Sequence, residues 1–554
     1  MAKNLYVLPK IAKPKRYSIE LTLDLSSGNV VGREKIDIEL LKETNHISLN
    51  AKDIKITAAS VDNIKAKQIT YNQKTETVTI RFPQKLSKGN AQLILAFTSK
   101  IREEMRGLYK SVYMLPDKTK RVMATTQFEA VDARWCFPCF DEPALKATFQ
   151  VTMVIPKDSN AFSNMPVKSS LELGEKKKIT FEETPIMSSY LLAFIVGEFE
   201  HVEKRTARGM PVRIIVTPGK KEQASFALDV AVRFLEYYED YFNIPYPLPK
   251  LDLVAIPDFE AGAMENWGLI TYRETALLID PKNSSAAARQ RVAVVVAHEI
   301  AHQWFGNLVT MQWWNDLWLN EGFASWMEYK AVDHMFPEWD IWTQFYNENT
   351  SVALAEDGLR NSHPIEVEII NPAEINEAFS AVVYNKGASL IRMLEQYAGE
   401  ETFRRGLQSY LNHFRYKNAV TDDLWNFLGK AAGKPIKQLM SSWTTQAGYP
   451  VVSVTAKGKK WNLRQERFFF TGKKSDKTLW RIPMIIEENN RVRYYEFNKR
   501  TAAITVSNED ANLNARQRGF YVTQYSEGLL RRKGFKQFMG RSYTFLSLVR
   551  HIHR

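Results

Sequence analysis

Two histidines four residues apart, His298 and His302, sit with Glu299 in the most apolar run of the chain, Val294-Val-Val-Ala-His-Glu-Ile-Ala-His-Gln-Trp304. On a helix, residues i and i+4 share a face, so both imidazoles point the same way and Glu299 lies about 100° round the axis. That is the donor set of a hydrolytic zinc: two imidazoles on the ion and a carboxylate that takes a proton from water. The competing reading is a pair of buried core histidines. With nine histidines in 554 residues, H-E-x-x-H arises by chance in about one such chain in a hundred. A third ligand decides between them, because catalytic zinc takes three protein groups and keeps one position open. Glu321, in Trp318-Leu-Asn-Glu-Gly-Phe-Ala-Ser-Trp326, opens a second helix, with 18 residues between it and His302. That is room for a loop and a return alongside the first helix. The residues point to one Zn2+ per chain, held by His298, His302 and Glu321.

The elements that must position these residues follow from periodicity. From Tyr17 to about Glu200 apolar residues alternate, as in Tyr17, Ile19, Leu21, Leu23 and Leu25, and again in Val78, Ile80 and Phe82. This predicts a large, mostly antiparallel β domain. Phe226, Val230, Phe234, Tyr237 and Tyr241 then mark one face of a helix that stops before Pro245. Val294–Val296 is β-branched and suits a buried strand as well, although Gly306 favours a helix end nearby. Helices follow around Leu390–Tyr397, Phe403–Phe414 and from a Thr421 cap through Leu428. After Gly448-Tyr-Pro450 alternation returns, through Phe468–Phe470 and Met484–Ile486, as a small β domain.

Composition excludes some classes of function. Hydrophobic content of 45% with 25% charged residues is ordinary for a globular protein. The net charge is +13, but seven of those charges fall between Arg531 and Arg554 with no acid among them. Lys176–Lys178 and Lys457–Lys460 lie where hairpin tips are expected. Without a basic stripe interleaved with aromatics, nucleic acid is not an expected partner. No signal-length apolar run opens the chain, and nothing approaches the roughly 18 unbroken apolar residues of a membrane span. The only cysteines, Cys136 and Cys139, lack a second pair for zinc and lack the surroundings of a redox motif, so packed free thiols are expected. Their small number fits a reducing, cytoplasmic setting.

The segment "HEIAHQWFGNLVTMQWWNDLWLNEGFASW", together with "GAMENWGLITYRETALLID" and "TTQFEAVDARWCFPCFDEPALKATF", resembles the zinc aminopeptidases of the membrane-alanyl and puromycin-sensitive type. The puromycin-sensitive and tricorn-interacting branch is the nearer in likeness, and the resemblance runs to about Tyr525. It implies a multidomain α+β fold: an N-terminal β domain over 1–205, a thermolysin-like, mostly helical catalytic domain over 206–447 and a β-sandwich over 448–527. By the same resemblance, His298, His302 and Glu321 are the zinc ligands and Glu299 the general base. Tyr384 is implied as donor to the tetrahedral oxyanion. Glu129, with Glu265 of Gly262-Ala263-Met264-Glu265-Asn266, is implied to grip the free amino group, and Gln127 to line the first side-chain pocket. The expected partners are peptides with a free N-terminus, which makes the protein an exopeptidase. Neither Tyr384 nor Glu129 can be picked out by spacing alone.

Where the larger relatives continue into a helical domain, this chain has a basic segment over 528–554, which fits a truncated or frame-shifted product as well as a naturally short form. That segment is expected to pack poorly. Two other functions compete: an epoxide hydrolase of the leukotriene-hydrolase type, which shares the zinc site, and a non-catalytic peptide-binding relative, whose signature would be loss of a ligand, of Glu299 or of Tyr384. None of those residues is missing.

Overall fold

The alternating run at the N-terminus forms the strand Ala12–Asp24, with Tyr17, Ile19, Leu21 and Leu23 buried and the residues between them turned toward solvent. It lies in an eight-stranded sheet, antiparallel to Asn29–Leu40 and parallel to Thr148–Pro156. The computed structural model describes residues 5–371, 375, 379–471 and 476–532. The chain divides into two units. One takes in Met1–Trp314, Ile369–Asn376 and Phe414–Ala419; the other takes in Asn315–Glu368, Glu377–His413 and Val420–Arg554.

In the first unit the eight-stranded sheet is joined by a three-stranded and a four-stranded one. Cys136 and Cys139 are free and fully buried. Burial pushes both thiols up, the charge of Glu34 adding at Cys136 and that of Asp141 at Cys139. Cys139 works through its backbone, exchanging two hydrogen bonds with Asn50 at 2.8 and 3.0 Å.

A separate five-stranded sheet runs in the order Glu200–Arg205, Pro211–Val216, Leu251–Ile256, Leu269–Arg273, Ala263–Met264. Its three inner strands are parallel and its two edges antiparallel. The sheet therefore crosses residue 205, where the sequence reading places a boundary. A helix over Ser225–Phe242 packs on it and ends at Asn243 in the left-handed region. Its buried face is wider than the stripe read from sequence: Leu228, Leu235 and Tyr238 are inside, whereas Phe226 and Tyr237 are partly exposed.

The second unit centres on the helix Trp318–Met335, which is buried nearly all round and packs against Gly387–Ala398. Trp318 lies 5.3 Å from Trp425. Thr421 is not a cap but the first residue of the helix Thr421–Ala432; Val420 holds the cap position, and Asp423 accepts its N–H at 3.0 Å. The Thr421 hydroxyl is taken instead by Asp316 at 2.6 Å. The C-terminal strands form a four-stranded sheet, Thr501–Thr505, Lys460–Arg467, Pro450–Lys457 and Val522–Tyr525, beside the hairpin Ile482–Glu488 with Arg491–Phe497. Phe468–Phe470 falls after a strand and not within one. Leu529, in the short helix Glu527–Arg532, is buried, so the chain packs beyond Gly528. The rest of the basic segment, 533–554, lies outside the described residues.

Candidate active site

Val294–Val296 is helical. The helix Ala286–Ala301 begins under Ser285, whose hydroxyl accepts the Ala288 N–H at 3.2 Å, and ends at His302. Three alanines at its start and Ala293, Ala297 and Ala301 further on outweigh the β-branched run. The far end is fixed by aromatics: Tyr238 donates to Ala297 O at 2.9 Å, and buried Trp304 donates from its indole to Ile244 O at 3.1 Å.

The two imidazoles converge, Nε2 to Nε2, at 3.0 Å. His302 Nδ1 lies 3.0 Å from Phe305 O. A carbonyl only accepts, so that nitrogen carries the proton, and Nε2 is left as a lone pair aimed at its neighbour. A histidine so oriented by a backbone carbonyl is the usual form of a metal ligand. Glu299 and Glu265 are 5% and 3% exposed, and their carboxylates and the His302 ring offer atoms within 4.8 Å of one another. Two buried carboxylates this close cannot both stay ionised alone, so a shared proton or a nearby cation goes with them. The donor set fits zinc. Tyr272, wholly buried, has its phenol pushed up by burial and then by the Glu299 charge, so it stays protonated.

Within Gly262-Ala263-Met264-Glu265-Asn266, Ala263–Met264 forms the short edge strand of the five-stranded sheet, Ala263 opposite Tyr272 and Met264 opposite Thr271. Gly262 O accepts the Arg273 N–H at 2.9 Å, and Asn266 donates to the Thr271 hydroxyl at 3.0 Å. The turn between the strands requires Gly268, which has φ +82° and whose absent Cβ would fall 2.5 Å from Asn164 O. Glu265 is held by its own carbonyl, which accepts from Asn307 at 2.8 Å and from Gln303 at 3.3 Å. Gln303 reaches Glu299 O as well, at 3.0 Å. The sequence reading missed both amides; their only signal is their place just after His302.

Gln127 ends the strand Lys120–Gln127, and its amide lies 3.5 Å from Glu129 O. Beyond the strand Phe128 is fully buried, while Gln127 and Glu129 on either side of it are partly exposed. The carboxylates of Glu129 and Glu265 offer oxygens within 4.8 Å of each other. The first unit thus gathers His298, His302, Glu299, Glu265 and Glu129.

Glu321 and Tyr384 belong to the second unit. Glu321 is buried in the first turn of Trp318–Met335. Tyr384 is partly exposed in the π-helical segment Val382–Lys386. Their elements meet at two glycines, where a Cβ on Gly387 would lie 3.2 Å from Gly322 Cα. Lys386, fully buried, lies 2.8 Å from Asp357 Oδ2.

A helical zinc-type donor set beside a large β domain defines a class, and comparison with known proteins agrees. The profile of the peptidase family M1 domain matches residues 226–443, and that of the peptidase M1 N-terminal domain matches residues 13–191. The chain belongs to peptidase family M1. It is 48% identical over 487 residues to aminopeptidase M1 of Arabidopsis thaliana, covering 86% of this chain and 55% of that protein. It is 42% identical over 543 residues to the puromycin-sensitive aminopeptidase of Caenorhabditis elegans, covering 94% and 57%. To the alanine/arginine aminopeptidase of Saccharomyces cerevisiae it is 42% identical over 532 residues, covering 94% and 62%. The chain therefore spans little more than half the length of these relatives. Among the described residues, no helix is long and apolar enough to cross a membrane.

Proposed function

We propose that this chain is a zinc-dependent aminopeptidase that removes the N-terminal residue from peptides. The observation that carries the reading is the double membership of Glu265: its carboxylate lies near that of Glu129 and 3.9 Å from His302 Nδ1. A substrate ammonium between Glu129 and Glu265 would lie within a residue's length of the histidines, so only the first peptide bond falls there. His298, His302 and Glu321 would hold one Zn2+ per chain, which when bound polarises a carbonyl and acidifies water. Glu299 accepts the proton of the attacking water and passes it to the leaving amine. Tyr384 donates a hydrogen bond to charge that develops on the carbonyl oxygen. The edge strand at Ala263–Met264 offers backbone groups to an extended peptide, and Gln127 lines the pocket for the first side chain. Two buried, protonated thiols suit a cytoplasmic protein.

The test is hydrolysis of amino-acid anilides with and without a chelator, alongside free and N-acetylated decapeptides. Chelator-sensitive release of one residue at a time from free peptides, with acetylated ones refused, is expected. Internal cleavage of acetylated peptides at similar rates would overturn the reading, as would metal-free activity.

A further inference from the structure

The segment that carries Tyr384 has two ends, and each is tied to a distant part of the second unit. A π-helical turn is rare and is frequently found at functional sites. At its far end Lys386 lies beside Asp357 and 3.3 Å from both Gln446 O and Gly448 O. At its near end the carbonyl of Ser380 accepts the N–H groups of Val383 at 2.9 Å and of Tyr384 itself at 3.1 Å. The Ser380 hydroxyl lies 3.2 Å from His363 Nε2. His363 Nδ1 is 2.7 Å from Pro364 O. That carbonyl can only accept, so Nδ1 bears the proton and Nε2 of the neutral ring accepts from the serine. The ring and the serine border a cavity of about 130 Å³ shared with Glu356, Asn361 and Val382.

We propose that His363 is a positioning residue for Tyr384, acting through Ser380. The imidazole, locked by Pro364, holds the Ser380 side chain; Ser380 in turn presents the carbonyl that fixes the Tyr384 backbone. Its loss frees the near end of the turn while the Lys386 end stays anchored, so the phenol swings about that anchor. A group whose bond forms mainly in the transition state loses turnover when displaced, with little loss of substrate affinity. The inference rests on the reading of Tyr384 as oxyanion donor given above.

The experiment is a mutant cycle on the full chain, with kcat, KM and bound zinc measured for each variant. Tyr384→Phe alone tests the earlier reading: if it leaves kcat unchanged, Tyr384 is not the donor, whatever His363 does. Given an impaired Tyr384→Phe, His363→Leu is expected to lower kcat about tenfold, with KM and zinc content kept. Ser380→Ala should match it, and the two together should be no worse than either, since they cut one chain. His363→Gln, which keeps an acceptor for the serine, should restore most of the rate. In the Tyr384→Phe background the His363→Leu loss should vanish. A loss that persists at full size in that background, a change in KM alone, or no change at all would overturn the inference.

Discussion

Glu265 and Tyr384 pose the same structural problem and meet it differently. Each must be held still, yet neither lies in a long regular element. Glu265, in the first unit, is held by two amides, Gln303 and Asn307, which come one and five residues after His302. One recognisable motif is therefore braced by another, the histidine segment further along the chain. Tyr384, in the second unit, is held by residues scattered along the chain: His363 through Ser380, Asp357 through Lys386, and Gly322 against Gly387. A site element braced by a second motif lies between two stretches that sequence already marks, whereas one braced by residues outside any motif is visible only in three dimensions. The second kind also carries higher stakes, because its supports are a buried ion pair and a backbone contact without slack.

Four changes would break or sharpen this contrast. The largest effect belongs to the chemistry: Glu299→Gln should cut kcat by roughly 10²–10⁴-fold with zinc retained, as metal analysis of the variant would show. If metal and activity fall together, the first unit's cluster is scaffold and the contrast loses its subject. Next comes Lys386→Met, which strands the Asp357 carboxylate in the interior and should cost about 3–5 kcal/mol in denaturant unfolding. Gly387→Ala should cost about 1–3 kcal/mol, since backbone and not a flexible side chain opposes the new methyl. Asn307→Ala is the mildest: Gln303 still holds the Glu265 carbonyl, so about 1 kcal/mol and a modest fall in kcat/KM are expected. Should Asn307→Ala prove as damaging as Lys386→Met, support of one motif by another would be no gentler than support from outside any motif.

The same contrast explains what could be read in the sequence. The β domain, the main helices and the His298–His302 face follow from periods of two and of three to four, and these survive folding because each element buries a side of its own. Local details yielded where tertiary partners competed. Thr421 gave its hydroxyl to Asp316 and left the cap to Val420. The helix Ser225–Phe242 buries Tyr238 in place of Tyr237 because its aromatic partner, Trp304, comes from another element. Gln303 and Asn307 look in sequence like any polar pair near a helix end, and His363 like any loop histidine. Their roles exist only once Glu265 O and Ser380 are beside them.

One strand bears on how the molecule can be handled. Glu200–Arg205 caps one edge of the five-stranded sheet, and its neighbour Pro211–Val216 contains Val212, Ile214, Ile215 and Val216, all fully buried. Anyone dividing the gene at the domain boundary expected at residue 205 would strip off that cover and leave a bare, apolar edge, the form of strand that recruits others like it. A fragment starting at residue 206 should therefore cluster in light scattering at concentrations where one starting ahead of Glu200 stays dispersed. Where a protein can be cut is set by which strand would be left without a neighbour, and here that point lies a hairpin earlier than the sequence suggests.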